Sequence, residues 1–176
     1  MDITPLRTAV IVGSTREGRF GPTVAAWVAA EIGGRSDLAA EIVDLADGTD
    51  TVTKQLGEAD AFVVVTPEYN HSYPAPLKAT IDDHYAEWQA KPVAFVAYGG
   101  LSGGLRAVEH LRTVFAELHA MTVRDTVSFH GGRQCFDAAG RPVDPESAVA
   151  AQRMLDRLAW WGHTLREARA VRPYGT

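Results

Sequence analysis

The chain has 176 residues, of which 46% are hydrophobic and 22% are charged, and its formal net charge is −5. This length suits one folded domain, expected here to span residues 1–176, and the composition is that of an ordinary globular protein. A nucleic-acid-binding protein usually carries a basic face, so the acidic balance favours chemistry on small molecules. The single cysteine, Cys135, cannot form an internal disulfide, and no cysteine pair indicates a zinc site.

The sequence carries no signal for a membrane or for export. No apolar run approaches the ~20 residues that a transmembrane helix needs. The first residues, Met1 to Pro5, lack the basic start and the apolar stretch of a signal peptide. We therefore expect a cytoplasmic protein with no membrane partner and no nucleic-acid partner.

Short apolar runs alternate with helical patterns along the chain. The predicted strands are residues 8–12, 40–45, 61–66, 92–98 and 121–127. The predicted helices are residues 24–32, 51–57, 74–81, 108–118 and 144–165. Asp144, Pro145 and Glu146 supply the last helix with an N-cap acceptor, a first-turn proline and a favourable negative charge. Residues 130–143 are polar and glycine-rich, which predicts one long surface loop.

Five alternating strands and helices predict an α/β fold, a doubly wound five-stranded parallel sheet with helices on both faces. Residues 61–66 are apolar on both faces, as a central strand should be, whereas residues 40–45 alternate, as a strand nearer an edge does. Trp88, Trp160 and Trp161 fit either a core or a subunit interface. Ligands of such sheets bind outside the carboxyl ends of the strands, where the strand order switches.

Loop 1, residues 13–19, reads Gly-Ser-Thr-Arg-Glu-Gly-Arg and follows the first predicted strand. Its glycines let backbone N–H groups converge at the positive end of the next helix, which suits a phosphate. Ser14 and Thr15 add hydroxyl donors, and Arg16 and Arg19 add charge and planar donor groups. The P-loop pattern would need a lysine in place of Arg19, and the dinucleotide pattern would need a glycine in place of Thr15. Taken alone, the loop could also be a polar turn that caps the helix.

Loop 2, residues 66–78, follows the third predicted strand and contains three prolines that stiffen it. Tyr69 and Tyr73 offer flat faces, and Asn70 can both donate and accept hydrogen bonds. A planar heteroaromatic ring needs stacking surfaces and edge hydrogen bonds of this kind. The alternative is a structural turn whose tyrosines pack on neighbouring helices.

Loop 3, residues 98–106, follows the fourth predicted strand and holds four glycines, Gly99, Gly100, Gly103 and Gly104. These glycines permit close approach of the backbone to a ligand, although a flexible connection would also contain them. Three such loops at one edge of a sheet are a less probable coincidence than one. Together they describe a site for a phosphate joined to a flat ring, and FMN fits this description.

The same loops resemble the NADPH-dependent FMN reductase family of the flavodoxin-like superfamily. The resemblance is carried by Gly13-Ser14-x-Arg16, by Pro67-Glu68-Tyr69-Asn70-x-Ser72-x-Pro74-x-x-Leu77-Lys78-x-x-Ile81-Asp82, and by Gly99, Gly103-Gly104, Arg106 and Ala107. It covers residues 8–127, and the middle motif is the specific part.

The resemblance implies a flavodoxin-like sheet that binds FMN. It places the phosphate at Ser14 and Arg16, the ring edge against Pro67, Glu68, Tyr69 and Asn70, and the other side of the ring near Gly99, Gly100, Gly103 and Gly104. Arg19 is added to this set on charge alone, because many members have serine there. Many members also have asparagine where Gly21 and Ala79 stand.

The resemblance further implies NADPH or NADH as electron donor and a homodimer or homotetramer. It implies a small-molecule electron acceptor, such as a free flavin, a quinone, an azo dye or a metal ion. Since FMN would carry the hydride transfer, we expect no catalytic side chain and no metal site. None of the six histidines forms an i,i+4 metal pair, and His71 alone lies inside loop 2.

The predicted function is an FMN-dependent NAD(P)H oxidoreductase. Two alternatives stay open, a non-enzymatic flavodoxin-like electron carrier and an FMN-binding sensor. Arg16 and the glycines of loop 3 favour the enzyme over the carrier, because true flavodoxins usually have a phosphate loop without arginine.

Overall fold

Strands and helices alternate along the chain in the computed structural model, which describes residues 4–175. Residue 176 and residues 1–3, which belong to the N-terminal stretch Met1 to Pro5, lie outside the described residues. The strands are β1 (Leu6–Val12), β2 (Leu38–Asp44), β3 (Ala61–Pro67), β4 (Pro92–Gly99) and β5 (Met121–His130). The helices are α1 (Gly21–Gly33), α2 (Thr49–Glu58), α3 (Ala75–Asp83), α4 (Leu105–Glu117) and α5 (Glu146–Val171). Within residues 4–175, no helix is both long enough and apolar enough to cross a membrane.

The five strands form one parallel sheet in the order β2-β1-β3-β4-β5. β1, β3 and β4 lie inside the sheet and are buried along almost their whole length, because helices cover both of their faces. β2 and β5 form the edges, and each alternates between buried and exposed residues. The predicted α/β class, the central position of residues 61–66 and the edge position of the second strand are confirmed.

Two hydrophobic cores lie on opposite faces of the sheet, because successive side chains of a strand point to opposite sides. Val63 and Val65 of β3 pack in the core under α1 and α5. Phe62 and Val64 pack in the core under α2, α3 and α4. The sheet is therefore doubly wound, as the alternation of elements predicts.

The end of β5 differs from the sequence prediction. The strand continues past Val127 to His130, which pairs with Gly99 of β4. Placing His130 in a surface loop was wrong, because Ser128 and His130 flank the buried Phe129 in the alternation that is typical of an edge strand.

The segment that follows β5 lies at the surface but is anchored. Residues 132–135 form a short 3-10 turn, and Phe136 packs against Phe129 and Phe20 with ring centroids 4.7 and 5.1 Å apart. This aromatic contact holds the segment over the start of α1.

The tryptophans separate into core and surface. Trp88 is fully buried, its ring lies 4.7 Å from that of Phe62 and 5.4 Å from that of Phe115, and its indole N–H donates to the Ile81 carbonyl at 3.3 Å. Trp160 on α5 is 59% exposed. Trp88 is thus a core residue and cannot anchor a subunit interface.

We predict that Trp88→Ala lowers the free energy of unfolding by about 3–5 kcal/mol, because it opens a cavity in the core. Trp160→Ala is the matched control and should change it by less than about 0.5 kcal/mol, since its ring is largely solvated. Urea unfolding followed by circular dichroism measures both values, and Trp88→Phe provides a milder variant that keeps most of the packing. Equal effects of the two alanine variants would contradict this assignment of Trp88.

Candidate functional site

Loops 1, 2 and 3 leave the carboxyl ends of β1, β3 and β4, which are neighbours in the sheet. The strand order reverses at the boundary between β1 and β3, because β2 lies on the far side of β1. The chain leaves β1 toward α1 on one face and leaves β3 toward α3 on the other face. The boundary between loops 1 and 2 is therefore the topological switch point, whose crevice is the position where ligands bind in this class of sheet.

Loops 1 and 2 are joined across this crevice. The hydroxyl groups of Ser14 and Tyr69 lie 2.8 Å apart, and Ser14 is 1% exposed. The guanidinium carbon of Arg16 lies 3.8 Å from the centroid of the Tyr69 ring. One face of the predicted stacking residue is thus covered by Arg16. At the start of loop 1, a β-carbon on Gly13 would lie 3.1 Å from the Val65 carbonyl oxygen, so the backbone passes close to β3.

The two arginines of loop 1 differ in their partners. Arg19 forms an ion pair with Asp44 at the end of β2, at 2.5 Å, and both side chains are largely buried. Arg16 is exposed and forms no ion pair within residues 4–175. The loop therefore presents one free cation to the crevice, and that cation is Arg16.

The tip of loop 2 is a strained two-residue turn. Tyr69 and Ser72 exchange backbone hydrogen bonds of 2.9 and 3.0 Å, and between them Asn70 and His71 have φ angles of 50° and 73°. Glycine is favoured at such positions, and each non-glycine residue there costs on the order of 1–3 kcal/mol. Strain of this kind clusters at ligand sites. Tyr73, by contrast, packs against the core, which supports the structural alternative for that tyrosine.

Glu68 ties loop 2 to loop 3. Its carboxylate accepts hydrogen bonds from Ser102 Oγ and Arg106 Nε, each 2.6 Å long, and its side chain is 5% exposed. Burial favours the protonated carboxyl, but the hydrogen bonds from Arg106 and Ser102 outweigh it and hold the pKa of Glu68 below its ordinary value. The backbone N–H of Glu68 donates to the Tyr98 carbonyl. The carboxylate is thus occupied within the protein rather than free for a ligand.

Three of the four glycines in loop 3 are required by packing. A β-carbon on Gly104 would lie 2.6 Å from Cβ of Ala97, and one on Gly99 would lie 3.1 Å from the Gly104 nitrogen. Gly103 and Gly104 also have positive φ angles of 61° and 87°. A β-carbon on Gly100 would meet nothing within 4 Å, so open space lies beside this glycine.

The structure adds polar residues that the loop compositions do not reveal. Arg133 of the 3-10 turn donates to the carbonyl of Gly18, with its guanidinium carbon 5.0 Å from the Phe20 ring centroid. Ser128 and His130 of β5 reach the carbonyls of loop 3. The pairing of these segments depends on sheet order, which no local pattern contains. Within residues 4–175, no group of three or more His, Cys, Asp or Glu side chains is placed to hold a metal ion.

The Glu68 tie makes the stability of the fold depend on pH. Because the pKa of the folded protein lies below that of the unfolded chain, about 4.3, the tie stabilises the fold above that pH. The stabilisation is lost as the pH falls through the folded pKa. We predict that Glu68→Gln lowers the free energy of unfolding by about 1–2 kcal/mol at pH 7. This is less than a fully buried charged hydrogen bond contributes, because Arg106 is 46% exposed and solvent screens its charge.

Urea titrations between pH 7 and pH 3 measure this difference, which should shrink as the wild-type carboxylate becomes protonated. Glu109→Gln is the matched control, because Glu109 pairs with Arg112 at 3.0 Å but is 71% exposed. It should change stability by less than about 0.5 kcal/mol. A Glu68→Gln effect that persists unchanged at pH 3 would refute a role for the carboxylate charge.

Comparison with known proteins agrees with this architecture. Residues 6–134 match the sequence profile described as NADPH-dependent FMN reductase. An NAD(P)H-dependent FMN reductase of Schizosaccharomyces pombe is 40% identical over 127 residues, which are 59% of this chain and 62% of that protein, so the match spans less than two thirds of the relative. A quinone reductase of Escherichia coli strain K12 is 31% identical over 179 residues, 87% of this chain and 89% of that protein.

A solved structure has the same fold. The flavoenzyme NAD(P)H:acceptor oxidoreductase FerB of Paracoccus denitrificans superposes with a TM-score of 0.71 at 21% identity, covering 90% of this chain and 98% of that one. At this identity the likeness speaks for the flavodoxin-like fold alone. The family match rests on the sequence profile, which covers most of the chain from β1 to the 3-10 turn. The chain belongs to the NADPH-dependent FMN reductase family.

Proposed function

We propose that this protein is an FMN-dependent NAD(P)H oxidoreductase that reduces a free flavin, a quinone or a similar small acceptor. The observation that carries the proposal is the free cation Arg16, held over Tyr69 at the crevice between loops 1 and 2. A phosphate needs such a charge beside the N–H groups at a helix N-terminus, and α1 begins at Gly21, directly after this loop. The FMN reductase and the quinone reductase among its relatives support the reaction.

The residues present fit FMN. Ser14, Arg16 and the start of α1 would hold the phosphate, while the backbone of Asn70 and the open space beside Gly100 would receive the ring. Pro67, Glu68, Gly99, Gly103 and Gly104 would shape the ring site, chiefly through their backbones. The charge of Arg19 is already balanced by Asp44, so Arg19 would contribute less to holding the phosphate than Arg16.

Bound FMN would supply the redox chemistry, which is hydride transfer from NAD(P)H and two-electron reduction of an acceptor. The protein then has to bind and orient the FMN ring and leave one face of that ring open. No side-chain nucleophile or base is required. The ties Ser14–Tyr69 and Glu68–Ser102 fix the three loops relative to one another. Side chains therefore contribute by positioning.

The absorbance spectrum of the purified protein and a steady-state assay test this function. We expect flavin bands from bound FMN, and oxidation of NADPH or NADH by a benzoquinone at many turnovers per flavin. Free FMN at equal concentration is the control for uncatalysed reduction. Oxidation no faster than this control would reject the enzyme in favour of the carrier or the sensor.

We also predict that Arg16→Ala weakens FMN binding about tenfold to a hundredfold, because a charged hydrogen bond contributes about 1.5–3 kcal/mol and each decade of affinity about 1.4 kcal/mol. Riboflavin, which lacks the phosphate, should bind the variant nearly as well as the wild type. Arg16→Lys should recover only part of the loss, since lysine lacks the planar fork. Isothermal titration of the apoprotein measures all four combinations of these two variants and two ligands.

The Arg16/Arg19 double alanine variant covers the case in which Arg19 takes over the phosphate. Wild-type affinity for FMN in both the single and the double variant would mean that loop 1 is only a turn, and the phosphate site would have to lie elsewhere.

A further inference from the structure

Two side chains of β5 hold the backbone of loop 3. Ser128 Oγ donates to the Gly103 carbonyl at 2.9 Å, and His130 Nδ1 lies 3.0 Å from the Leu101 carbonyl oxygen. His130 Nε2 lies 3.2 Å from Ser128 Oγ. The chain of contacts therefore runs from one carbonyl of the loop, through both side chains, to a second carbonyl two residues earlier.

Gly103 allows the backbone of loop 3 to approach His130 closely. Its φ angle is 61°, and a β-carbon there would lie 2.6 Å from Cδ2 and 2.7 Å from Nε2 of His130. The loop backbone thus lies directly against the imidazole. A side chain at this position would have to displace the Ser128 and His130 side chains, and its backbone would be strained at this φ angle.

Three simultaneous hydrogen bonds would require one particular placement of the protons. A carbonyl oxygen only accepts hydrogen bonds, so the single hydroxyl proton of Ser128 goes to Gly103. Ser128 Oγ must then accept from an N–H at Nε2 of His130, and the Leu101 carbonyl requires an N–H at Nδ1. All three bonds form together only when both ring nitrogens of His130 carry a proton. A neutral imidazole would lose one of the three.

We propose that Ser128 and His130 are positioning residues that hold loop 3 in the conformation that receives the FMN ring, with His130 as the doubly protonated imidazolium. The proposal rests on the proposed function. If FMN binds this conformation of the loop, its affinity is thermodynamically linked to the proton on His130. The test therefore spans the pH range in which histidine side chains ordinarily change charge.

Few charged groups lie near His130. Cys135 and Asp144 line the same cavity as His130. The loop itself offers His130 only carbonyl groups. Glu68 and Arg106, which flank loop 3, are paired with each other.

The first test measures FMN affinity of the apoprotein, by quenching of flavin fluorescence, between pH 6 and pH 8.5. At pH 6 we expect Ser128→Ala and His130→Asn each to bind FMN about tenfold more weakly than the wild type, as the loss of one or two hydrogen bonds predicts. With a neutral imidazole the wild type keeps two of the three bonds and each variant keeps one, so at pH 8.5 the difference should narrow to about threefold. Protonation of the FMN phosphate changes the affinities of the wild type and of the variants alike, so it cancels in these ratios.

His119→Asn is the matched control. His119 is also exposed, and its Nδ1 lies 2.8 Å from the Tyr174 hydroxyl. It lies just before the amino-terminal end of β5, whereas His130 lies at the carboxyl end. The control variant should bind FMN like the wild type at every pH. Wild-type affinity of His130→Asn at pH 6, or a ratio to the wild type that does not change with pH, would overturn the proposal.

The second test needs no FMN. The backbone amides of Ser102 and Gly104 follow the two bonded carbonyls, so their NMR shifts should titrate in the wild-type apoprotein and stay flat in His130→Asn. Flat shifts in the wild type would also overturn the proposal. A wild type that shows this titration but binds no FMN would instead reject the proposed function and leave the brace of loop 3 intact.

Discussion

The parallel pairing of β1 with β3 is the constraint on which the rest of the molecule depends. Five residues of β1, from Thr8 to Val12, pair with Ala61 to Val65 of β3, and both strands are buried on both faces. Because β2 occupies the other side of β1, the chain must cross over in opposite directions at this boundary. The carboxyl ends of two neighbouring strands therefore leave a crevice between them.

The fold could be predicted from the sequence wherever burial is continuous. The run at residues 61–66 has no polar face, and only a strand covered on both sides needs such a sequence. The end of β5 was missed for the opposite reason. Its last residues, Ser128 and His130, are polar because they serve an edge strand, and locally they look the same as the loop that follows. Trp88 was equally ambiguous, since the partners Phe62 and Phe115 that bury it are distant in sequence.

The three loops of the candidate site could be located from composition, but the division of work within them could not. Arg16 and Arg19 lie on one loop and have the same chemistry. They differ because Arg19 pairs with Asp44, which lies 25 residues later in the chain. Asp44 is close to Arg19 only because β2 pairs with β1. The glycines of loop 3 show the same limit: Gly99, Gly103 and Gly104 have no room for a side chain, so their presence alone does not indicate a ligand.

Polar ties, rather than apolar packing, hold the loops together at this edge. Ser14 and Tyr69 join loops 1 and 2, and Glu68 and Arg106 join loops 2 and 3. A loop edge open to solvent cannot be fixed by burying hydrophobic surface, so directional hydrogen bonds must set its geometry. Such ties lower the conformational entropy that a ligand would otherwise have to remove on binding. The strained turn at Asn70 agrees with this, because it lowers the stability of the fold but gives the loop a defined backbone conformation.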